Sequence, residues 1–126
     1  MNNLKVFNRL NCSMTMKILI CLTASPYESL GCWKDSFPRA LTSIDATVAH
    51  KHGHYKSRSH PHQNCLQQAK SSSKRFFALQ DGGYCFGSND HLAYKKYGKS
   101  TLCSGGKGGA MANNVYGIRE GKKLSR

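Results

Sequence analysis

The stretch Phe76-Phe77-Ala78-Leu79-Gln80-Asp81-Gly82-Gly83-Tyr84-Cys85-Phe86-Gly87 decides how the rest of the chain is read. Two short apolar and aromatic runs flank Asp81-Gly82-Gly83. Asp and Gly tolerate the positive backbone angles of a tight turn, so the segment is expected to form a two-stranded β-hairpin. Upstream, in Gln63-Asn64-Cys65-Leu66-Gln67-Gln68-Ala69-Lys70, the residues Cys65, Leu66 and Ala69 fall at i, i+1 and i+4 and the other positions are polar. That is helical spacing. A helix pinned to a hairpin by one disulfide is therefore the expected nucleus, with loops wrapped around the pair.

A chain of 126 residues with 39% apolar composition makes one domain with terminal extensions and a small core. Its formal charge of +13 favours acidic partners: sulfated or sialylated glycans, anionic lipid heads or nucleic acid. The six cysteines are Cys12, Cys21, Cys32, Cys65, Cys85 and Cys103, and none has the C-x-x-C spacing of zinc ribbons or thioredoxin-like sites. Their spread favours disulfides over metal. Cys12 and Cys21 lie in a separate N-terminal segment; without it four remain, which permits three connectivities that spacing leaves unranked.

Within residues 1–27, Met16-Lys17-Ile18-Leu19-Ile20-Cys21-Leu22 places a lysine before a short apolar run, followed by small residues, as a signal peptide does. The run is too short to span a bilayer as a helix, which needs about 20 apolar residues. The domain is expected over 28–118, with 119–126 a basic tail. Beyond residue 24 there remain 16 Lys and Arg against six Asp and Glu, a formal +10, so the positive field belongs to the domain and its tail. Gly31-Cys32-Trp33-Lys34-Asp35 reads as a first strand, Ser59 as an N-cap with Pro61 in the first helical turn, and Ser71-Ser72-Ser73 as the helix end. Gly98 stops a short element carrying Tyr94 and Tyr97, and Asn113-Asn114-Val115-Tyr116-Gly117-Ile118 alternates as a last strand.

Gly31-Cys32-Trp33-Lys34-Asp35, Arg39-Ala40-Leu41, Cys65, the strand Phe77-Ala78-Leu79 running to Tyr84-Cys85, Lys96-Tyr97-Gly98, Cys103 with Gly105-Gly106-Lys107-Gly108-Gly109, and Asn113-Asn114-Val115-Tyr116 form a pattern over residues 30–118. It resembles a cysteine-containing extracellular module of marine invertebrates, itself similar to the WSC domain. The resemblance implies an α+β, PAN/apple-like fold with one main helix packed on an antiparallel sheet, a secreted or extracellular location, and carbohydrate binding. It favours pairing of Cys65 with Cys85 and of Cys32 with Cys103, and it carries over no catalytic residue. The chain departs from the WSC pattern in having fewer cysteines in the domain.

Sugar binding needs aromatic faces for C–H surfaces and a few polar groups to orient hydroxyls. The candidates are Trp33, Asp81, Tyr84, Lys107, Asn113 and Asn114, with Tyr94, Tyr97 and Gln80 beside them. Lys51, Lys56, Arg58, Lys95, Lys96, Lys99 and Lys107 are candidates for an anionic-glycan patch. His50, His52, His54, His60 and His62 read as an exposed loop rather than a metal site, because alternating His-x-His without ordered backbone fixes no coordination geometry. Gly98-Lys99-Ser100-Thr101 ends like a phosphate-binding loop, but the first glycine of that motif would fall on Ala93. Six scattered acids and no nucleophile motif argue against an enzyme, and the absence of zinc-finger, helix-turn-helix or RNP-type motifs argues against nucleic acid. The expected protein is thus a secreted, cofactor-free, lectin-like module acting on glycans or glycoproteins in adhesion, matrix or defence. The alternative is a structural or interaction module, or a cationic effector that holds anionic surfaces by charge.

Overall fold

The computed structural model describes residues 10–15, 18–23, 25–45 and 54–119. The chain divides into two compact units, one made of 1–28 with 119–126 and the other of 29–118. In the first, β1 (Leu10–Thr15) and β2 (Ile18–Thr23) pair antiparallel from Leu10 opposite Thr23 to Thr15 opposite Ile18. Also in that unit, the Arg119 N–H donates to the Pro26 carbonyl at 2.8 Å.

The second unit is a five-stranded antiparallel sheet with one helix. Its elements are β3 (Tyr27–Lys34, of which 29–34 belong to this unit), β4 (Thr42–Ser43), α1 (Pro61–Ser71), β5 (Phe76–Gln80), β6 (Tyr84–Ser88), a 3₁₀ turn (Ala93–Lys95) and β7 (Ala112–Ile118). The order across the sheet is β3-β7-β5-β6-β4. The quoted hairpin is therefore β5–β6, with Gln80 opposite Tyr84 and a three-residue turn between them. Asp81 takes φ 51° there and Gly82 φ 95°, the left-handed region that Asp and Gly enter most readily. The strand expected over 113–118 forms as β7 and runs between β3 and β5, pairing with β5 from Phe76–Gly117 to Gln80–Asn113.

Side chains alternate along β5, and both of its faces are covered. Phe77 and Leu79 point toward α1 together with Cys85 and Tyr116; Ala78 packs the opposite way with Phe86, Val115, Ala40, Leu41 and Tyr94. Phe77, Ala78 and Leu79 have no exposed surface. The helix turns Cys65, Leu66 and Ala69 inward, as the i, i+1, i+4 spacing predicts. Its N-terminus differs from expectation. His60, not Ser59, is the N-cap, in left-handed conformation at φ 54°, and Ser59 instead offers its carbonyl to the Asn64 side-chain amide at 3.0 Å. Pro61 follows in the first turn, where its missing N–H costs nothing. At the other end Ser73 at φ 58° and the Lys74 N–H donating to the Ala69 carbonyl close the helix.

Two disulfides fasten these parts, Cys65–Cys85 joining α1 to β6 and Cys32–Cys103 joining β3 to the glycine-rich loop. With sequence separations of 20 and 71 residues, their chain-entropy contributions are about 3 and 4 kcal/mol. Arg58, expected on the basic surface, is instead buried: its Nη1 meets Asp45 at 3.0 Å with both side chains almost fully enclosed. An arginine paired this way gives its charge to the interior, and Asp45 also accepts from the Cys85 N–H at 3.0 Å.

Replacing Cys65 and Cys85 together by Ala is expected to lower the urea midpoint sharply or unfold the domain; an unchanged midpoint would refute the stabilising role of this bridge. Asp45→Ala alone is expected to cost about 3–5 kcal/mol, because it strands the Arg58 charge in the interior. The double variant Asp45→Ala with Arg58→Met should recover part of that loss in the same denaturation experiment.

Candidate functional site

The hairpin turn is held from outside by the glycine-rich loop. The Asp81 N–H donates to the Gly109 carbonyl at 3.0 Å and the Gly82 N–H to the Lys107 carbonyl at 2.9 Å, while the Gly108 N–H donates to Asn114 Oδ1 at 2.7 Å. Only glycine fits at 108. A Cβ there would lie 2.2 Å from the Leu79 carbonyl oxygen and 2.6 Å from Gln80 Cα. The glycine-dense sequence thus lets one backbone lie against another and fixes where the turn presents Asp81.

Beside that turn is a cleft of about 360 Å³ lined by Arg39, Ser43, Tyr55, Gln80, Asp81, Tyr84 and Phe86. Gln80, Tyr84 and Phe86 reach it because period-two alternation turns them to the face opposite α1. Tyr55 comes from the loop before the helix and packs edge-on against Tyr84, ring centroids 5.0 Å apart. Its hydroxyl donates to Asp81 Oδ2 at 2.6 Å, and Lys56 Nζ lies 3.6 Å from the same oxygen. The Tyr55 hydrogen bond, helped by Lys56, holds the Asp81 carboxyl below the usual carboxylate range and raises the Tyr55 phenol. At the other wall the Ser43 hydroxyl donates to the Tyr84 hydroxyl at 3.1 Å.

Arg39 closes one end of the cleft. Its Nη1 donates to Asp35 Oδ2 at 2.8 Å and to Gln80 Oε1 at 3.2 Å. Asp35, whose side chain is fully buried, also accepts from Gln80 Nε2 at 2.8 Å and, through Oδ1, from the Ser36 and Ala40 N–H groups. Burial pushes the Asp35 carboxyl up, but the Ala40 N–H, Arg39, Gln80 and the Ser36 N–H together outweigh it and hold it below the ordinary range. The guanidinium carbon of Arg39 stands 4.4 Å from the Phe37 ring centroid and 5.5 Å from that of Phe86. Phe37 itself is 71% exposed, an aromatic surface next to the cleft mouth.

Of the residues singled out from sequence, Gln80, Asp81 and Tyr84 meet in this cleft. Trp33 does not line it: its Nε1 donates to the Leu30 carbonyl at 2.8 Å, its ring meets Tyr94 edge-on at 5.2 Å, and Lys95 and Lys99 lie 6.0 and 5.7 Å from the ring. Asn113 and Asn114 cannot both face one ligand, because neighbours on a strand point to opposite faces. Asn113 is fully buried, its Oδ1 accepting from Gln80 Nε2 at 2.9 Å, so it serves the interior network and not a sugar. Asn114 is on the helix face, engaged by Gly108. Lys107 is exposed in the loop, where its carbonyl rather than its amine touches the turn. Lys51, His50 and His52 fall outside the described residues. His54 stacks on Tyr55 at 4.8 Å, and His62 Nε2 lies 2.8 Å from the Gly106 carbonyl oxygen and 3.0 Å from the Tyr116 hydroxyl. Among the described residues no three His, Cys, Asp or Glu side chains come together as metal ligands.

Sequence reasoning missed Arg39 and Tyr55 as members of a site. Arg39 carried a signal in its motif with Ala40 and Leu41, but only the fold brings it to Tyr84. A larger hollow of about 570 Å³, lined by Lys34, Asp35, Lys99, Ser100, Thr101, Leu102, Ala110 and Met111, has no aromatic ring among these residues. Comparison with protein-family models finds none that matches the chain, and comparison with curated proteins finds no match either. No helix of the described residues is long and apolar enough to cross a membrane.

The lowered pKa of Asp35 sets the sign of a pH effect. Between its folded and unfolded values the unfolded chain binds more protons, so stability rises with pH there. The contribution is present above about pH 4, the ordinary Asp range, and is lost as pH falls through the folded value. The stability gap between the native chain and Asp35→Asn, measured by urea unfolding, should therefore be widest near neutral pH and narrow below about pH 4. A gap independent of pH would contradict the ionised state of Asp35.

Proposed function

We propose that this chain is a secreted, non-catalytic, WSC-like module that binds carbohydrate through the Tyr55–Tyr84–Asp81 cleft, serving adhesion, matrix assembly or defence. The observation that carries this reading is the pairing of two half-buried tyrosine rings with an ionised carboxylate in one concave site. Rings offer flat apolar faces to sugar C–H groups, and a carboxylate accepting from a neighbouring phenol has further lone pairs for hydroxyls. The two disulfides and the signal-like segment within residues 1–27 support an oxidising, extracellular location. Glycans or glycoproteins, including sulfated or sialylated ones, are the partners that the positive charge favours.

The test is a glycan array probed with the full chain at low and high salt. Binding to a defined sugar is expected to persist at high salt, because contacts inside a cleft are screened less than surface charge. Tyr84→Ala should abolish it, and Tyr55→Phe, which deprives Asp81 of its phenol partner, should weaken it by about tenfold. Binding that any polyanion displaces, with both variants indistinguishable from the native chain, would overturn the proposal and favour a charge-driven surface.

A further inference from the structure

Arg39 brings three donor sites to the cleft end, and only one is spoken for. Nη1 serves Asp35 and Gln80 and lies 3.5 Å from Met111 sulfur, whereas Nε and Nη2 make no hydrogen bond to any described residue. These two atoms form the side-on edge of the guanidinium, the edge whose parallel N–H groups match the two oxygens of a carboxylate. The group is not loose. Asp35, itself fixed by two backbone N–H groups, anchors Nη1, and the rings of Phe37 and Phe86 flank the guanidinium carbon.

Among the residues lining the cleft Arg39 is the one base and Asp81 the one acid. The site is thus polar along its length. We infer that it takes a carboxylate-bearing sugar, a uronic acid or a sialic-acid type of residue, with the carboxylate side-on to Arg39 and ring hydroxyls toward Asp81; this rests on the carbohydrate-binding reading above. One planar cation suits one planar anion. A polysulfated chain, by contrast, needs several cations in a row, and Lys56, a base beside the cleft, is already drawn to Asp81. Asp81 repels a second anionic group and so fixes which end of the ligand faces which wall.

The experiment titrates the ¹⁵N-labelled full chain with methyl β-glucuronide, its uncharged amide and methyl β-glucoside, and separately with N-acetylneuraminate and its methyl ester. NMR follows the arginine Nε–Hε resonances. At least one acid should bind about tenfold or more tightly than its uncharged counterpart, as loss of a charge-assisted bidentate pair implies, and should move the Arg39 signal. Whichever acid does so identifies the source of the carboxylate. Arg39→Lys keeps the charge beside Asp35 but removes the fork, and should lower the acid-to-neutral ratio several-fold without erasing it. If that variant fails to fold, the native comparison of glucuronide with its amide, or of neuraminate with its ester, still decides. Equal affinity for acid and uncharged sugars, or tighter binding of an acid with the Arg39 signal unmoved, would overturn the inference and leave the sugar site standing. No binding of any sugar would overturn both.

Discussion

The buried carboxylate of Asp35 is the contact on which the arrangement of the cleft depends. It lies just past the end of β3, takes hydrogen bonds from two backbone N–H groups of the following loop, and holds Arg39 and Gln80 through its other oxygen. Gln80 passes the connection to Asn113 on β7. One ionised group thereby fixes a loop and side chains on two strands. A buried charge is costly unless every lone pair is used, and here both oxygens have partners. The same network that satisfies Asp35 sets one edge of the Arg39 guanidinium and leaves the other available.

A second constraint acts on the opposite wall. The hairpin turn needs positive φ at Asp81 and Gly82, and the glycine-rich loop reads those exposed N–H groups with its own carbonyls. Gly108 must approach β5 more closely than any side chain allows. The Cys32–Cys103 bridge ties that loop back to β3, so the disulfide framework and the cleft share an anchor. Other basic residues among those described lie elsewhere: Arg58 is consumed inside by Asp45, and Lys95 and Lys99 flank Trp33. The cleft itself carries balanced charge, which favours orientation of a ligand over indiscriminate attraction.

Much of this fold could be read from the chain, and the reasons are local. Asp-Gly-Gly between apolar runs dictates a hairpin, and the spacing of Cys65, Leu66 and Ala69 dictates a helix with one inward face. The helix cap was harder, because Ser59 has the right chemistry but the chain bends one residue later, at His60. The site was legible only in part. Asp81 and Tyr84 lie within one hairpin, so short-range reasoning could join them. Tyr55 and Arg39 reach the cleft from loops 26 and 41 positions away from their partners Asp81 and Gln80, and no periodicity links such distances. Asn113 and Asn114 show the reverse fault: residue chemistry suggested a pair of ligands, whereas strand alternation sends one inward and the other to the helix face.

The most direct measurement is saturation transfer between protein and a bound oligosaccharide. The protein would carry protons only in its tyrosine rings, with Trp33 protonated in a second sample. The account predicts transfer to sugar C–H protons from the rings of Tyr55 and Tyr84, lost when Tyr84 is replaced. Transfer from Trp33 alone, with the tyrosines silent, would contradict it and move the binding site to the lysine-flanked surface around Trp33.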